Sequence, residues 1–121
     1  MTIKVIKLFF LMIKTRVYSK YSRTAVALLG KSIQLARKER KWSEQALAER
    51  AGISRSTLVK VEKGDLHCEI GFVFELATIM GIKLFDADVM DLAQSIVQID
   101  DKIALLPRRI HSVAMVVEDD F

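Results

Sequence analysis

The sequence predicts an all-α fold, and three observations lead to this prediction. The chain of 121 residues has the length of a single domain. It contains one proline and five glycines, too few for the turns of a many-stranded β-sandwich, and 51% of its residues are hydrophobic. Apolar residues recur at steps of three and four along much of it. We expect five helices, the last being an additional C-terminal dimerisation helix followed by a flexible tail.

Residues 1–21 are predicted to be a basic N-terminal extension. Their apolar run, Leu8 to Ile13, is too short for a secretory leader and is followed by no small-residue cleavage site. Three interpretations remain: a short β-strand at a dimer interface, an amphipathic lead-in, or residues that precede a true translation start at Met12. We favour the third.

Residues 22–85 are predicted to hold four helices. The first starts at Ser22, and its apolar positions are Val26, Leu29, Ile33 and Ala36. The second runs from the N-cap Ser43 to about Ala51, and the third from the N-cap Ser54 to Lys63, with Gly64 after its end. The fourth, Ile70 to Met80, is apolar on nearly every side, which predicts burial on more than one face. We also expect Phe72, Phe74 and Phe85 to belong to the core.

The C-terminal helix is expected at residues 86–107, with Asp86 as its cap and Pro107 at its end. Its apolar residues alternate by three and four, as in a coiled coil. Such a stripe can pack in a core or form a subunit interface; because the preceding helices already fill a small core, we favour dimerisation. The predicted interface residues are Val89, Leu92, Ile96, Ile99 and Ile103. Residues 108–121 are expected to form the tail.

Charge is distributed unevenly along the chain. Residues 1–41 carry a net charge of +10, residues 42–66 are neutral, and residues 67–121 carry −6. The basic N-terminal segment would favour binding to a polyanion, because each neutralised phosphate releases condensed counterions. The alternative is a solvated, lysine-rich helix face.

Residues 44–61 have the residue types of a helix-turn-helix. Ala48 is small where two helices would cross, and Gly52 permits the positive φ of a short turn. Leu47, Ile53, Leu58 and Val61 are apolar where the pair must pack on other helices. The opposite side of the third helix is polar and contains Arg55, Ser56, Thr57, Lys60 and Lys63. The alternative is a plain α-hairpin without a ligand.

Residues 33–85, a little under half of the chain, resemble the XRE or lambdoid-repressor family of DNA-binding domains. The resemblance rests on Ile33-x-x-Ala36-Arg37-x-x-Arg40-x-Trp42-Ser43, Leu47-Ala48, Gly52-Ile53-Ser54 and Glu62-Lys63-Gly64. It implies a five-helix helix-turn-helix domain that binds operator DNA.

The resemblance also implies roles for single residues. Arg37 and Glu62 should form a structural salt bridge. Arg55, Ser56 and Lys60 should contact bases in the major groove, and the residues expected at phosphates are Ser43, Gln45, Thr57 and Lys63. The chain has Glu44 where the family usually has glutamine. Either Gln45 takes over a phosphate contact, or Glu44 turns aside to pair with a base such as Lys41.

The flanking segments are similar to antitoxins of the HipB kind. They are Tyr18 to Arg23, Gly64-Asp65 with Glu69-Ile-Gly71, Leu84-Phe85-Asp86, and Leu-Leu-Pro-Arg-Arg109. This similarity implies a homodimer that represses its own operon and restrains a HipA-type kinase toxin. The alternatives are a stand-alone repressor and an adaptor that has lost DNA binding.

An enzyme is not expected. His67 and Cys68 are adjacent, His111 has no partner at metal-ligand spacing, and neither a glycine-rich phosphate loop nor a nucleophile elbow occurs. We therefore predict no catalytic residue, metal or cofactor. The single cysteine and the absence of roughly 20 consecutive apolar residues predict a cytoplasmic, nucleoid-associated protein without membrane contact.

Overall fold

The computed structural model describes residues 3–14 and 17–108, with the backbone alone for residues 9–14. This part of the chain is all-α, which confirms the predicted fold class, and it holds one helix more than expected. The helices are α1 (Ile3–Lys14), α2 (Lys20–Glu39), α3 (Glu44–Ala51), α4 (Arg55–Glu62), α5 (Ile70–Ile79) and α6 (Val89–Ala104). Residues 109–121 of the predicted tail lie outside the described residues.

The additional helix is α1. The interpretation of this segment as a β-strand is wrong, because its apolar residues follow one another without the alternation of a strand and its backbone is helical. The side chains from Ile3 to Leu8 are all exposed. The translation start at Met12 stays a prediction.

Helix α2 begins two residues earlier than expected. Ser19 is its N-cap, and the Ser19 hydroxyl accepts a hydrogen bond from the backbone amide of Ser22 at 3.2 Å. The helix ends at Glu39, and Lys41 then adopts a positive φ of 58°. This left-handed residue turns the chain towards α3.

One core joins α2, α3, α4 and α5. Its buried apolar members are Ile33, Leu47, Ala48, Leu58, Val61, Leu76 and Met80. Leu29, Ala36 and Ile53 pack against it and are partly buried. The apolar faces predicted for the first three helices of residues 22–85 thus meet in a single cluster.

Two expectations for α5 and the segment after it are wrong. Helix α5 is not buried on several faces, since Ile70 is 74% exposed and only Leu76 and Ala77 are buried within its bounds. Phe85 and Phe74 lie outside the core at 60% and 38% exposure, and their rings stack with centroids 6.3 Å apart. Phe72 is half-buried. The core is too small to cover every apolar residue of this region.

Helix α6 begins at Val89, and its cap is Asp88, not Asp86. The Asp88 carboxylate accepts from the amide of Asp91 at 2.9 Å, which satisfies one of the unpaired donors of the first turn. The helix ends at Ala104, three residues before Pro107. Every residue of α6 is exposed.

Candidate nucleic-acid interface

Helices α3 and α4 form a helix-turn-helix. The Ser43 hydroxyl accepts from the amide of Ala46 at 3.0 Å, and the Ser54 hydroxyl accepts from the amide of Thr57 at 3.1 Å, so a serine caps each helix. Gly52 between them has φ of 70°, and a Cβ added there would meet no atom within 4 Å. Glycine is favoured here by the left-handed backbone and not by lack of space.

A buried ion pair fixes α4 against α2. Arg37 donates from Nε to Oε2 of Glu62 at 2.8 Å and from Nη2 to Oε1 at 3.0 Å, in the bidentate geometry of a strong pair. Its Nη1 donates to the Trp42 carbonyl at 3.0 Å. The hydrogen bonding of Arg37 to the Glu62 carboxylate is the main cause that raises the pKa of Arg37. The structure thus brings together the two residues that the family resemblance paired.

The contact between α2 and α4 is close because Gly30 has no side chain. A Cβ at Gly30 would lie 2.4 Å from the carbonyl oxygen of Val61 and 2.9 Å from that of Glu62. Sequence reasoning missed this glycine, although glycine inside a helix is unfavourable by about 1 kcal/mol relative to alanine, which is the signal of a packing role there.

The outer side of α4 carries the predicted base-contacting residues. Arg55, Ser56 and Lys60 are exposed, whereas Leu58, Val61 and Glu62 on the inner side are buried. The hydroxyls of Ser56 and Thr57 lie 3.1 Å and 2.8 Å from the Ser54 hydroxyl. The structure therefore presents one polar face whose orientation is set by the core behind it.

The predicted phosphate-contacting residues lie around this face. Ser43, Gln45 and Lys63 are exposed, and Thr57 is half-buried. The Gln45 side chain donates to Glu49 at 3.0 Å. Lys63 lines an open cleft of about 310 Å³ with Lys31, which the sequence did not single out. Helix N-termini and lysines of this kind suit anionic oxygens.

Glu44 does not pair with Lys41. Its carboxylate Oε2 instead accepts from Nε of Arg55 at 3.3 Å, so the first residue of α3 binds the first residue of α4. The two side chains are 32% and 64% exposed. Sequence reasoning left open whether Gln45 takes over a phosphate contact or Glu44 turns aside to a base such as Lys41. Glu44 does turn aside, but to Arg55, because the angle of the turn decides which cation is near.

A second set of arginines contacts the end of α5 and the Trp42 ring. Arg40 donates to the carbonyls of Ile79 and Met80 at 2.8 Å and 3.2 Å, which satisfies acceptors at the end of α5. The guanidinium groups of Arg40 and Arg50 lie 5.8 Å and 5.0 Å from the centroid of the Trp42 ring. The contacts of Arg40 and Arg50 are therefore with the domain's own helix end and aromatic ring.

The described residues lack the features that a metal site, a reactive thiol or a membrane-spanning helix requires. None of their histidine, cysteine and acidic side chains form a group of three or more that could hold a metal ion. Burial raises the pKa of the Cys68 thiol, and the nearby charge of Asp65 adds to this, so the reactive thiolate is disfavoured. Among the described helices, none has the length and apolar character that crossing a bilayer requires.

The helix-turn-helix geometry agrees with the family model that matches this part of the chain. Residues 33–86 match the family described as helix-turn-helix. A chain of the solved HipA-HipB-O2-O3 complex is 19% identical, with a TM-score of 0.46, over 62% of this chain and 97% of that one. No curated protein matches this chain. Residues 33–86 thus combine the observed geometry of a helix-turn-helix with a match to the helix-turn-helix family, whose XRE-type members are DNA-binding regulators.

Proposed function

We propose that the protein is a sequence-specific regulator that places α4 in the major groove of duplex operator DNA. The observation that carries the proposal is the two-sided character of α4. Leu58, Val61 and Glu62 anchor one side, so Arg55 and Lys60 on the other project from a fixed helix. A rigid helix of this width fits the major groove, where each base pair has its own pattern of donors and acceptors.

In this complex, Arg55, Ser56 and Lys60 contact base edges. Arg55 suits the O6 and N7 atoms of guanine, because its planar guanidinium offers two parallel donors. Ser43, Gln45, Thr57 and Lys63 contact phosphates on either side and fix the register on the duplex. The basic charge of residues 1–41 adds a contribution to affinity that does not depend on sequence.

The regulator acts as a homodimer formed through α6. Val89, Leu92, Ile96, Ile99 and Ile103 lie on one stripe and are between 36% and 81% exposed. An isolated helix of 16 residues is marginally stable in water, so a partner that covers this stripe would stabilise it. Two copies of α4 could then contact two half-sites of a palindromic operator.

The finer function that we propose is that of an autoregulatory antitoxin with a HipA-type kinase toxin as its partner. Its support is the similarity of the flanking segments to HipB-type antitoxins. Stoichiometric copurification with the product of an adjacent gene would distinguish an antitoxin from a stand-alone regulator. The carboxylate of Glu44 beside the recognition surface favours a second candidate, a protein-interaction adaptor without DNA binding, because an acid repels phosphates.

Titration of the full chain into DNA from upstream of its own gene tests the proposal. We expect a dimer to contact about six to eight phosphates, so log affinity should fall against log salt with a slope of roughly −5 to −7. A scrambled duplex of equal length is the control and should bind at least about 100-fold more weakly. Equal affinity for both duplexes would contradict sequence-specific binding, and a flat salt response would favour the adaptor.

A further inference from the structure

The ion pair between Glu44 and Arg55 joins the two helices of the motif at the surface proposed to meet DNA. Glu44 is the first residue of α3 and Arg55 is the first residue of α4. The carboxylate receives only the Nε hydrogen of the guanidinium, at 3.3 Å. Within the described residues, Nη1 and Nη2 of Arg55 make no hydrogen bond. The contact therefore restrains the Arg55 side chain at Nε and leaves the edge formed by Nη1 and Nη2 free to bind another group.

This arrangement restricts what Arg55 can reach. An exposed arginine samples many rotamers and loses conformational freedom when it is ordered. A carboxylate bound at Nε limits those rotamers before DNA arrives, and the Nη edge remains available for a guanine. Preorganisation of this kind favours one geometry over others of similar charge.

The negative charge has a second effect. A carboxylate close to Arg55 offsets part of its attraction to phosphates, which are present at every position of any duplex. The bidentate contact to guanine depends on geometry as well as charge, so it is weakened less. On these grounds, Glu44 should lower the affinity for non-specific DNA more than the affinity for the operator.

We propose that Glu44 is a positioning residue that determines specificity by directing Arg55 to a base and away from the backbone. This inference rests on the proposed function, since it requires that α4 meets duplex DNA. It gives a role to the acid that stands at the first position of α3, where the resembling family usually has glutamine.

The test begins with selection of bound sequences from a pool of randomised duplexes, using the full-length wild-type chain. The selected duplex and a scrambled version then serve as probes for Glu44→Gln, which keeps the size of the side chain and removes its charge. We expect the ratio of operator affinity to scrambled affinity to fall about fivefold to tenfold, part of the discrimination of one bidentate base contact. Scrambled DNA should bind more tightly, and its salt slope should steepen by about 1 per subunit.

The control is Glu39→Gln, which removes the same charge from an exposed side chain at the end of α2, whereas Arg55 is paired with Glu44. It should leave the affinity ratio unchanged. Lys31 and Lys63 also line the cleft beside Glu44, so a double-variant cycle is needed to isolate Arg55. In the Arg55→Ala background, Glu44→Gln should have no further effect on the ratio. Selection with either single variant should lose preference at the same base pair.

The outcomes separate the two proposals. A wild type that enriches no sequence would overturn both. A wild type that enriches a sequence, with a Glu44→Gln variant that retains its ratio and its base preference, would overturn the positioning role alone. An equal effect of Glu44→Gln with and without Arg55 would also overturn it. Circular dichroism of each variant ensures that loss of folding is not the cause.

Discussion

At the scale of single residues, the buried pair of Arg37 and Glu62 sets the position of α4. The Arg37 guanidinium bonds both carboxylate oxygens and the carbonyl of Trp42, so one side chain connects α2, α4 and the segment before α3. The two side chains are only 7% and 5% exposed. Removal of either partner would leave the other charge buried without an ion pair, which is strongly destabilising.

Glu62→Ala is expected to lower the free energy of unfolding by about 3 kcal/mol, since it leaves the Arg37 charge unpaired. The double variant Arg37→Met, Glu62→Leu should recover much of this loss, although the Trp42 carbonyl then lacks its donor. Urea unfolding followed by circular dichroism measures both. Glu49→Ala, which removes an exposed acid, is the control and should change stability by less than about 0.5 kcal/mol. A double variant no more stable than Glu62→Ala would contradict this explanation.

At the scale of helices, the crossing of α2 over α4 depends on Gly30. Gly30→Ala should gain about 1 kcal/mol from helix propensity but lose about 3 kcal/mol from contact with the backbone of α4, which no rotamer can relieve. We therefore expect a net loss of about 2 kcal/mol in thermal or urea unfolding. Gly71→Ala in α5 is the matched control: its Cβ would meet nothing within 4 Å, so this variant should be slightly stabilised. Equal effects of the two would show that the crossing tolerates a methyl group.

The same crossing shows how far the sequence predicts the structure. The serine caps, Gly52 and the apolar periodicity act locally, so they predict the bounds of α3 and α4 within one residue. The partner of Glu44 and the neighbours of Gly30 depend on helix angles, which no local pattern contains. The exposure of Ile70 and Phe85 was not predicted for a different reason. An apolar pattern indicates that a residue can be covered, but not whether its own chain or a second chain covers it. The DNA and dimer contacts of the site residues remain predictions.

At the scale of the whole molecule, a long apolar surface on and beside α6 is left exposed in the single chain. Val89 and Leu92 of α6 line an open groove of about 400 Å³ with the stacked rings of Phe74 and Phe85. The groove and the stripe along α6 therefore form one exposed apolar surface. A surface of this kind is typical of an interaction site, and it supports the proposal that a second copy covers α6.

Ile96 lies in the middle of that stripe, which makes it the position where a charge should disturb a dimer most. Ile96→Asp would place an unpaired carboxylate in the subunit interface, so the dimer should dissociate at least about 100-fold more readily. Light scattering and sedimentation at micromolar concentration would measure this change. Gln98→Asp adds the same charge two residues along, on the opposite side of α6, and should remain dimeric.

Because two linked copies of α4 bind DNA more tightly than one, Ile96→Asp should also weaken operator binding, whereas Gln98→Asp should not. If the wild type is monomeric, or if Ile96→Asp leaves its mass unchanged, α6 is not the dimer interface and its stripe must be covered by another partner.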